Sequence, residues 1–231
     1  MRTTAILTGA GSGSRLGANV PKALVPINGV PMVRIAAENL FASGVVDDAI
    51  VTVPDGYVAE FAAALDGIKQ PITLVIGGET RQQSIANALN QLHPDCGKVL
   101  VHDAARPFAP AALIESVAQK VNDDAKAVIP ALPVTDTIKV VRPLESQQVV
   151  ATVDRTTLRA VQTPQGFDRA TLAQAYEAAI TQNLEATDDA GLAEAIGVAV
   201  FVIPGDPAAM KITTQSDLKI ATLLYSPSGT E

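Results

Sequence analysis

The chain alternates between short apolar runs rich in β-branched residues and longer segments of helical periodicity, and this alternation restricts its fold more than any other feature. The strand-like runs are TTAILT, DAIVTV, ITLVI, KVLVH and KAVIPAL. Segments such as residues 32–43 and 111–122 lie between them and repeat apolar residues at helical spacing. Parallel neighbours need a crossover, which is usually a helix. The order therefore predicts an α/β fold with a doubly wound, mostly parallel, Rossmann-like sheet.

The second half of the chain continues this pattern. Helical periodicity recurs over residues 169–182, 189–196 and 215–224, with the strand-like run VAVFVI between the last two. A chain of 231 residues has the length of one α/β domain. Because 48% of the residues are hydrophobic but only 3% are aromatic, the core must be aliphatic. We expect a single domain over residues 1–231.

One region departs from the alternation. Two β-rich runs, residues 136–141 and 149–153, are joined by a polar loop, which is the pattern of a β-hairpin. Two interpretations remain open. The hairpin, residues 134–156, is either an arm that protrudes from the domain and joins two subunits, or an edge hairpin that lies on the main sheet.

The bulk composition excludes several classes of protein. The formal net charge of −7 argues against general nucleic-acid binding, which needs a basic surface. Cys96 is the only cysteine, so an intrachain disulfide or a cysteine metal cluster is impossible. No apolar run approaches the 18 residues or so of a transmembrane helix. We expect a cytoplasmic protein that binds neither nucleic acid nor membrane.

A glycine-rich loop, TGAGSGSRLGANVPK, follows the first strand-like run. It does not match the dinucleotide fingerprint, because the third glycine position holds Ser14, and it lacks the Gly-Lys-Ser/Thr sequence of a Walker loop. It does contain Arg15 and Lys22, and glycines allow backbone N–H groups to approach an anion closely. The loop therefore indicates a phosphate site, with an ordinary turn that carries two surface cations as the alternative.

A second candidate site follows the run KVLV, which leads directly into HDAARP. Asp103 is placed at the carboxyl end of a strand, where α/β proteins collect functional side chains, with Arg106 just beyond it. The carboxylate suits Mg²⁺ or a substrate hydroxyl, and the guanidinium suits a phosphate. The alternative is that the two residues pair with each other near a turn. His102 is typical of hydrogen-bonded scaffolding.

Several weaker motifs become informative through their order. After the glycine loop come GGETRQQS, VHDAARP, PVTDTIK, VDR, TPQGF, TDDA and MKIT. Together they strongly resemble the 2-C-methyl-D-erythritol 4-phosphate cytidylyltransferases of isoprenoid biosynthesis, from about residue 3 to residue 224. The resemblance implies a nucleotide-diphospho-sugar transferase type of fold. It also implies a homodimer in which the arm reaches into the partner subunit.

The resemblance also assigns roles to residues of this sequence. The expected nucleotide-binding residues are Gly9, Ala10, Gly11, Ser12, Gly13, Gly78, Arg81 and Ser84. The expected catalytic residues are Arg15 and Lys22, which stabilise the transition state, and Arg155 and Lys211, which position the acceptor. Asp103, Arg106, Thr137 and Thr163 match positions around the acceptor, and Asp103 also matches a ligand of Mg²⁺, with other divalent cations possible.

The implied reaction transfers CMP from CTP to 2-C-methyl-D-erythritol 4-phosphate and releases pyrophosphate. The acceptor phosphate is already anionic, so the reaction needs positioning and charge neutralisation rather than a general base. Two alternatives remain: a cytidylyltransferase for ribitol 5-phosphate, and a CTP-binding regulatory module without turnover. Glu79 and Ala23 depart from the Asp and Gln of many relatives, which leaves the base contacts open.

Overall fold

The computed structural model describes residues 1–11, 19–142 and 147–226. The strands are β1 (Arg2–Thr8), β2 (Pro26–Ile27), β3 (Val30–Pro31), β4 (Asp48–Val53), β5 (Ile72–Ile76), β6 (Cys96–Asp103), β7 (Ala127–Pro133), β8 (Lys139–Val141), β9 (Val149–Thr152), β10 (Arg159–Val161), β11 (Gln165–Asp168) and β12 (Val200–Pro204). The helices are α1 (Met32–Ala42), α2 (Val58–Leu65), α3 (Arg81–Leu89), α4 (Ala111–Lys120), α5 (Arg169–Thr181), α6 (Asp189–Ala195) and α7 (Gln215–Leu224).

Eight of these strands form one sheet. Their order is β10-β7-β11-β6-β1-β4-β5, and β12 also pairs with β7. The pairs β1–β4, β1–β6, β4–β5 and β7–β12 are parallel, while β10 and β11 run antiparallel to their neighbours. The predicted mostly parallel sheet is confirmed. Strand β11 has the sequence QGFD, which lacks β-branched residues and gave no strand signal.

Helices cover both faces of the sheet. Alternate residues of a strand point to opposite faces, so Ala5 and Leu7 of β1 pack in a core with α1, α2 and α4. Ile6 packs in a second core with α3, α5 and α6. Strands buried on both faces read as continuous apolar runs, which is why β1 and β4 are so apolar. The doubly wound arrangement is therefore confirmed.

The order of the strands places a crevice beside β1. The chain runs from β1 outward to β4 and β5 on one side, and then returns to β6 on the other side. Open α/β sheets bind ligands at such a reversal, outside the carboxyl ends of the strands. Here the loops that follow β1, β5 and β6 meet at the same edge, because these strands are parallel.

The predicted hairpin forms, but not on the main sheet. Strands β8 and β9 pair with each other in a separate two-stranded sheet, and all of their residues are exposed. The interpretation as an edge hairpin lying on the main sheet is therefore wrong. The exposed side chains include five large apolar ones, Ile138, Val140, Val141, Val149 and Val150.

In the part of the chain that the structure describes, no helix combines the length and the apolar character needed to cross a bilayer.

Candidate active site

A cavity of about 450 Å³ opens at the crevice beside β1. Three loops contribute most of its wall: residues 8–11 after β1, residues 78–81 after β5, and residues 103–105 after β6. Lys22 and Lys211 also line it. Each of these loops follows the carboxyl end of a parallel strand, so the fold brings together segments that are far apart in sequence.

The first wall of the cavity begins with Gly9. Its N–H donates to the Thr52 carbonyl at 3.0 Å, and a Cβ at this position would lie 2.8 Å from both that oxygen and the Phe61 ring. Only glycine fits so close an approach. The Gly11 carbonyl in turn accepts a hydrogen bond from the Lys22 N–H at 3.4 Å. The start of the glycine loop is thus held against β4, with Lys22 beside it.

The second wall is shaped by the first turn of α3. Thr80 caps this helix in a capping box with Gln83. The buried Ser84 hydroxyl accepts from the Gly78 N–H at 3.0 Å and donates to the Thr80 carbonyl at 2.9 Å. A Cβ on Gly78 would lie 2.4 Å from Cβ of Gln83. Ser84 and Gly78 therefore set the shape of this loop.

The Asp103 carboxylate faces the cavity between two cations. Its Oδ2 lies 2.7 Å from Lys211 Nζ, and its Oδ1 lies 3.5 Å from Arg81 Nε. The Thr8 hydroxyl donates to Oδ1 at 3.2 Å. Burial alone would raise the pKa of Asp103, but the positive charges of Arg81 and Lys211 outweigh burial and hold that pKa well below its usual range. Asp103 is therefore ionised at neutral pH.

A buried hydrogen-bond chain holds the backbone of Asp103. The Asp103 N–H donates to Thr163 Oγ1 at 3.0 Å, and this hydroxyl lies 3.0 Å from His102 Nδ1. His102 Nε2 lies 3.2 Å from the Arg106 carbonyl, which can only accept, so Nε2 carries the proton and the Thr163 hydroxyl donates to Nδ1. Burial lowers the pKa of His102 to about 4. His102 is thus a neutral scaffold, as the sequence suggested.

Arg106 holds two neighbouring segments in place. Its guanidinium donates to the Ala209 carbonyl at 2.8 Å and to the Val161 carbonyl at 3.2 Å. The Ile212 N–H also donates to the Ala105 carbonyl at 2.8 Å, which fixes the segment that carries Lys211. The ion-pair partners of Asp103 within the described residues are Arg81 and Lys211. The alternative of a simple Asp103–Arg106 pair is therefore wrong.

Comparison with known proteins identifies the family. The family model described as "IspD: 2-C-methyl-D-erythritol 4-phosphate cytidylyltransferase" matches residues 3–226. The chain belongs to the IspD family. Curated relatives of that name from Nocardia farcinica and Streptomyces avermitilis are 47% and 45% identical to it; each alignment covers 95% of this chain, with 92% and 90% of the respective relative.

Solved structures of similar proteins share the fold. The 4-diphosphocytidyl-2C-methyl-D-erythritol synthase from Anaerococcus prevotii has a TM-score of 0.85 at 29% identity, covering 96% of this chain and 95% of that one. The 2-C-methyl-D-erythritol 4-phosphate cytidylyltransferase from Thermus thermophilus has a TM-score of 0.80 at 32% identity. The alignment covers 97% of this chain and 98% of that chain. The fold of this IspD family member is therefore that of the cytidylyltransferases.

The structure of this IspD family member brings together many of the expected site residues. Those that line the cavity are Gly9, Ala10, Gly11, Lys22, Gly78, Arg81, Ser84, Asp103 and Lys211. Ser12, Gly13 and Arg15 lie outside the described residues. Thr163 and Arg106 lie behind the cavity wall, where they hold Asp103 and the Lys211 segment.

Two expected residues of this IspD family member lie on the hairpin instead. Thr137 and Arg155 are exposed at its base, away from the walls of the cavity, and Arg155 donates to the Thr135 carbonyl. Within one subunit, Thr137 and Arg155 therefore do not lie beside Lys22 or Lys211. Their expected role near the acceptor depends on where the hairpin lies in an assembly.

Sequence reasoning missed several polar residues around the cavity. Thr8 and Thr52 both line it at the carboxyl ends of β1 and β4, but each also fits an ordinary strand. Asp189 is entirely buried and binds Arg81 from behind the wall. Its motif, TDDA, was visible in the sequence, but a helix N-terminus explains Asp residues equally well.

The donor set of the cavity fits a divalent cation that arrives with a nucleotide. Mg²⁺ is usually held by one or two carboxylates together with substrate phosphates and water. Asp103 supplies one ionised carboxylate at the cavity wall. Within the described residues, no group of three or more His, Cys, Asp or Glu side chains could hold a metal without a substrate.

Proposed function

We propose that this chain transfers the CMP group of CTP to 2-C-methyl-D-erythritol 4-phosphate, giving 4-diphosphocytidyl-2-C-methyl-D-erythritol and pyrophosphate in the non-mevalonate isoprenoid pathway. The observation that carries the proposal is the cavity beside β1, whose wall combines the start of a glycine loop, the cations Lys22, Arg81 and Lys211, and the ionised carboxylate of Asp103. Membership of the IspD family supports the identity of both substrates.

The chemistry follows from the charges of the substrates. An oxygen of the acceptor phosphate attacks the α-phosphorus of CTP, a new P–O bond forms, and the bond to the pyrophosphate breaks. This oxygen is anionic near neutral pH, so no side chain has to remove a proton. Catalysis then depends on holding the two phosphates in line and on neutralising their charge.

The cations have distinct places in this reaction. Lys22 lies beside the glycine loop, where the CTP phosphates fit, and it would stabilise the charge that builds on the five-coordinate phosphorus. Arg15 precedes Lys22 in the same glycine-rich stretch of the sequence, and the resemblance to the family assigns it the same role. Lys211 also lines the cavity, beside Asp103, and would hold the acceptor phosphate. Its ion pair with Asp103 keeps the ammonium directed into the cavity.

We also propose that Asp103 holds Mg²⁺ together with the CTP phosphates, and other divalent cations fit the same oxygen donors. When bound, the ion would neutralise charge on the phosphate oxygens. Removal of divalent cations with a chelator should abolish pyrophosphate release, and added Mg²⁺ should restore it. Release that continues unchanged in the chelator would argue against a metal at Asp103.

The arm supports a homodimer as the working assembly. It exposes five large apolar side chains, and its two strands are not covered by the main sheet, as is typical of a surface that packs on a partner. A partner subunit that receives the arm would also receive Arg155 and Thr137, which would then reach the acceptor.

A cytoplasmic location suits both substrates, because such highly charged phosphates do not diffuse through a bilayer.

The deciding experiment measures pyrophosphate release from CTP and Mg²⁺ with three acceptor conditions: 2-C-methyl-D-erythritol 4-phosphate, ribitol 5-phosphate, and none. We expect release with methylerythritol phosphate alone. Release with ribitol phosphate instead would keep the mechanism and change the pathway. CTP binding without release under any condition would make the chain a regulatory module.

A further inference from the structure

The structure buries a carboxylate that the proposed chemistry does not use. Asp189 is the first residue of α6, and its exposed fraction is 0%. Its Oδ1 and Oδ2 accept hydrogen bonds from the two terminal nitrogens of Arg81, at 3.0 Å and 2.7 Å. The Tyr176 hydroxyl also donates to Oδ1, at 2.6 Å. A fully buried Asp is rare unless it is paired, and this one is paired in the two-pronged geometry that Arg favours.

The surroundings of Asp189 hold it rigidly. Asp188 caps α6 by accepting from the Gly191 N–H at 3.0 Å. The buried Gln165 of β11 donates to Asp188 Oδ2 at 2.8 Å and accepts from the Ala190 N–H at 3.1 Å. The start of α6 is thereby joined to the main sheet. Asp189 therefore offers Arg81 a fixed partner rather than a mobile one.

Arg81 connects this buried pair to the cavity. Its terminal nitrogens point to Asp189, and its Nε lies 3.5 Å from Asp103 Oδ1. Lys211 lies on the other Asp103 oxygen, so the charges alternate in sign along Asp189, Arg81, Asp103 and Lys211. An ion pair with a purely structural role lies within the core. This series of charges instead reaches Asp103, the carboxylate at the wall of the cavity where the substrate phosphates would bind.

We propose that Asp189 is a positioning residue for the transfer reaction, which rests on the proposed function above. By binding the terminal nitrogens of Arg81, it leaves only the Nε edge of that side chain for Asp103. The Asp103 carboxylate is then held between Arg81 and Lys211 in one orientation. Tyr176 contributes by donating to Asp189 Oδ1, which restrains the carboxylate that binds the guanidinium.

The expected defect follows from what Arg81 would do without this partner. With Asn at position 189, the guanidinium is free to turn its two terminal nitrogens towards Asp103 and to compete there with Lys211. The substrates would still enter the cavity, but Asp103 and Lys211 would no longer be aligned for the transition state. The loss of an interaction that forms only in the transition state lowers kcat more than it raises KM.

The test compares kcat and KM for both substrates in Asp189→Asn, Tyr176→Phe and a matched control, Asp168→Asn. Asp168 caps α5 through the Thr171 N–H, and Asn can keep that cap, so this control makes the same Asp-to-Asn exchange at the start of a helix outside the cavity. We expect kcat to fall about tenfold or more in Asp189→Asn and about threefold in Tyr176→Phe, because small displacements of aligned groups slow reactions steeply. KM for CTP should stay within about twofold of the parent. The control should keep the parent kcat.

A double-mutant cycle with Arg81→Gln separates positioning from general damage to the fold. If Asp189 acts through Arg81, Asp189→Asn should change kcat little in the Arg81→Gln background, so the two effects should not add. The double variant should also be more thermostable than Arg81→Gln, which leaves a buried carboxylate without its cation.

Several results would overturn the inference. If the parent is active and Asp189→Asn and Tyr176→Phe have the same kcat as the Asp168→Asn control, the inference is wrong. It is also wrong if these variants change only KM, or if the two effects in the double-mutant cycle are additive. Should Asp189→Asn fail to fold, Tyr176→Phe decides, because it removes one hydroxyl and leaves the ion pair. A folded parent that is inactive with CTP and methylerythritol phosphate would overturn the proposed function instead, and this inference with it.

Discussion

The cluster around Asp103 and the hairpin arm, residues 134–156, are built in opposite ways. The cluster joins Arg81, Asp103 and Lys211, which come from three distant segments and are cross-linked by ion pairs over a hydrogen-bonded floor. The arm is one continuous segment, and both of its strands are exposed. The geometry of the cluster is therefore set within one chain, whereas the arm has two free faces.

This difference indicates how the two regions depend on assembly. A two-stranded hairpin with no further packing is at best marginally stable in water. The arm nevertheless presents five large apolar side chains, whose burial on a partner would be favourable. The cluster around Asp103 does not depend on a partner subunit for its structure, because its charges are already paired within one chain. We therefore expect damage to the cluster to affect chemistry directly, and damage to the arm to act through the proposed dimer.

The largest effect is expected inside the cavity. Lys22→Ala should lower kcat by about a hundredfold or more, the scale seen when one preorganised charge-stabilising donor is lost. Steady-state pyrophosphate release measures it, with Lys69→Ala as the control, since Lys69 is exposed and lies outside this cavity. A folded Lys22→Ala variant within a few fold of the parent would remove Lys22 from the mechanism.

Subunit complementation tests whether the arm completes the cavity of a partner. Arg155→Ala and Lys22→Ala should each be severely impaired alone. If Arg155 acts in the partner's site, each mixed dimer has one intact site, and random mixing should restore about a quarter of the parent rate. The measurement is pyrophosphate release after co-refolding equal amounts of the two variants. No recovery in verified mixed dimers would mean that each arm serves its own subunit.

The buried floor of the cavity predicts a dependence of stability on pH. The pKa of His102 is about 4 in the folded protein, against an ordinary value of 6.5 for histidine, so the unfolded chain binds more protons between these values. Stability should therefore fall as the pH drops from about 6.5 to 4, by an amount on the order of 2 kcal/mol at pH 5 relative to pH 7.

Urea unfolding at pH 7, 6 and 5 measures this dependence on His102. In His102→Gln the slope of stability against pH between pH 7 and 5 should be flatter, because glutamine cannot be protonated in this range. Asp103 contributes in a different window: its folded-state pKa is lowered, so its stabilisation is lost at lower pH, below its ordinary value of 3.8. An identical slope in the parent and the His102→Gln variant would show that other groups control acid stability.

The smallest effect is expected from a charge on the arm. Val140→Asp places a carboxylate among the exposed apolar side chains of the arm and should weaken the proposed dimer by at least about tenfold, as the loss of a central interface contact does. Analytical ultracentrifugation measures the dissociation constant. The control is Val58→Asp, which is similarly exposed at the start of α2, away from the arm. An unchanged dissociation constant would place the interface elsewhere.

Local patterns in the sequence predicted most of the fold. The apolar runs gave β1, β4, β5, β6, β7 and β12 to within two residues at each end. The strands β1, β4, β6 and most of β7 are buried on both faces and cannot be polar, while β5 and β12 are more exposed but rich in β-branched residues. Helical periodicity located α7 over Gln215–Leu224 without error. Strand β11 was missed because it is short and contains Gly166, and it forms only because β6 and β7 accept it between them.

The site was predictable to a different extent. The order of motifs, through resemblance to a family, pointed to Gly9, Lys22, Asp103 and Lys211, and the cavity brings these together. Pattern alone could not tell that Arg106 binds backbone carbonyls rather than Asp103. That choice depends on which groups lie within about 3 Å, a distance that spacing along the chain does not encode.

The sequence by itself determined that this chain is a doubly wound α/β protein of the IspD family, because strand and helix periodicity are local properties and the motifs keep their order. Only the tertiary structure decided the partners of each charge. Asp189 and Asp103 share Arg81 although their positions differ by 86 residues (189 − 103), since the fold places Arg81 of α3 between the start of α6 and the end of β6. Ion pairs form between groups that folding brings close, and their identity is a property of the packed molecule.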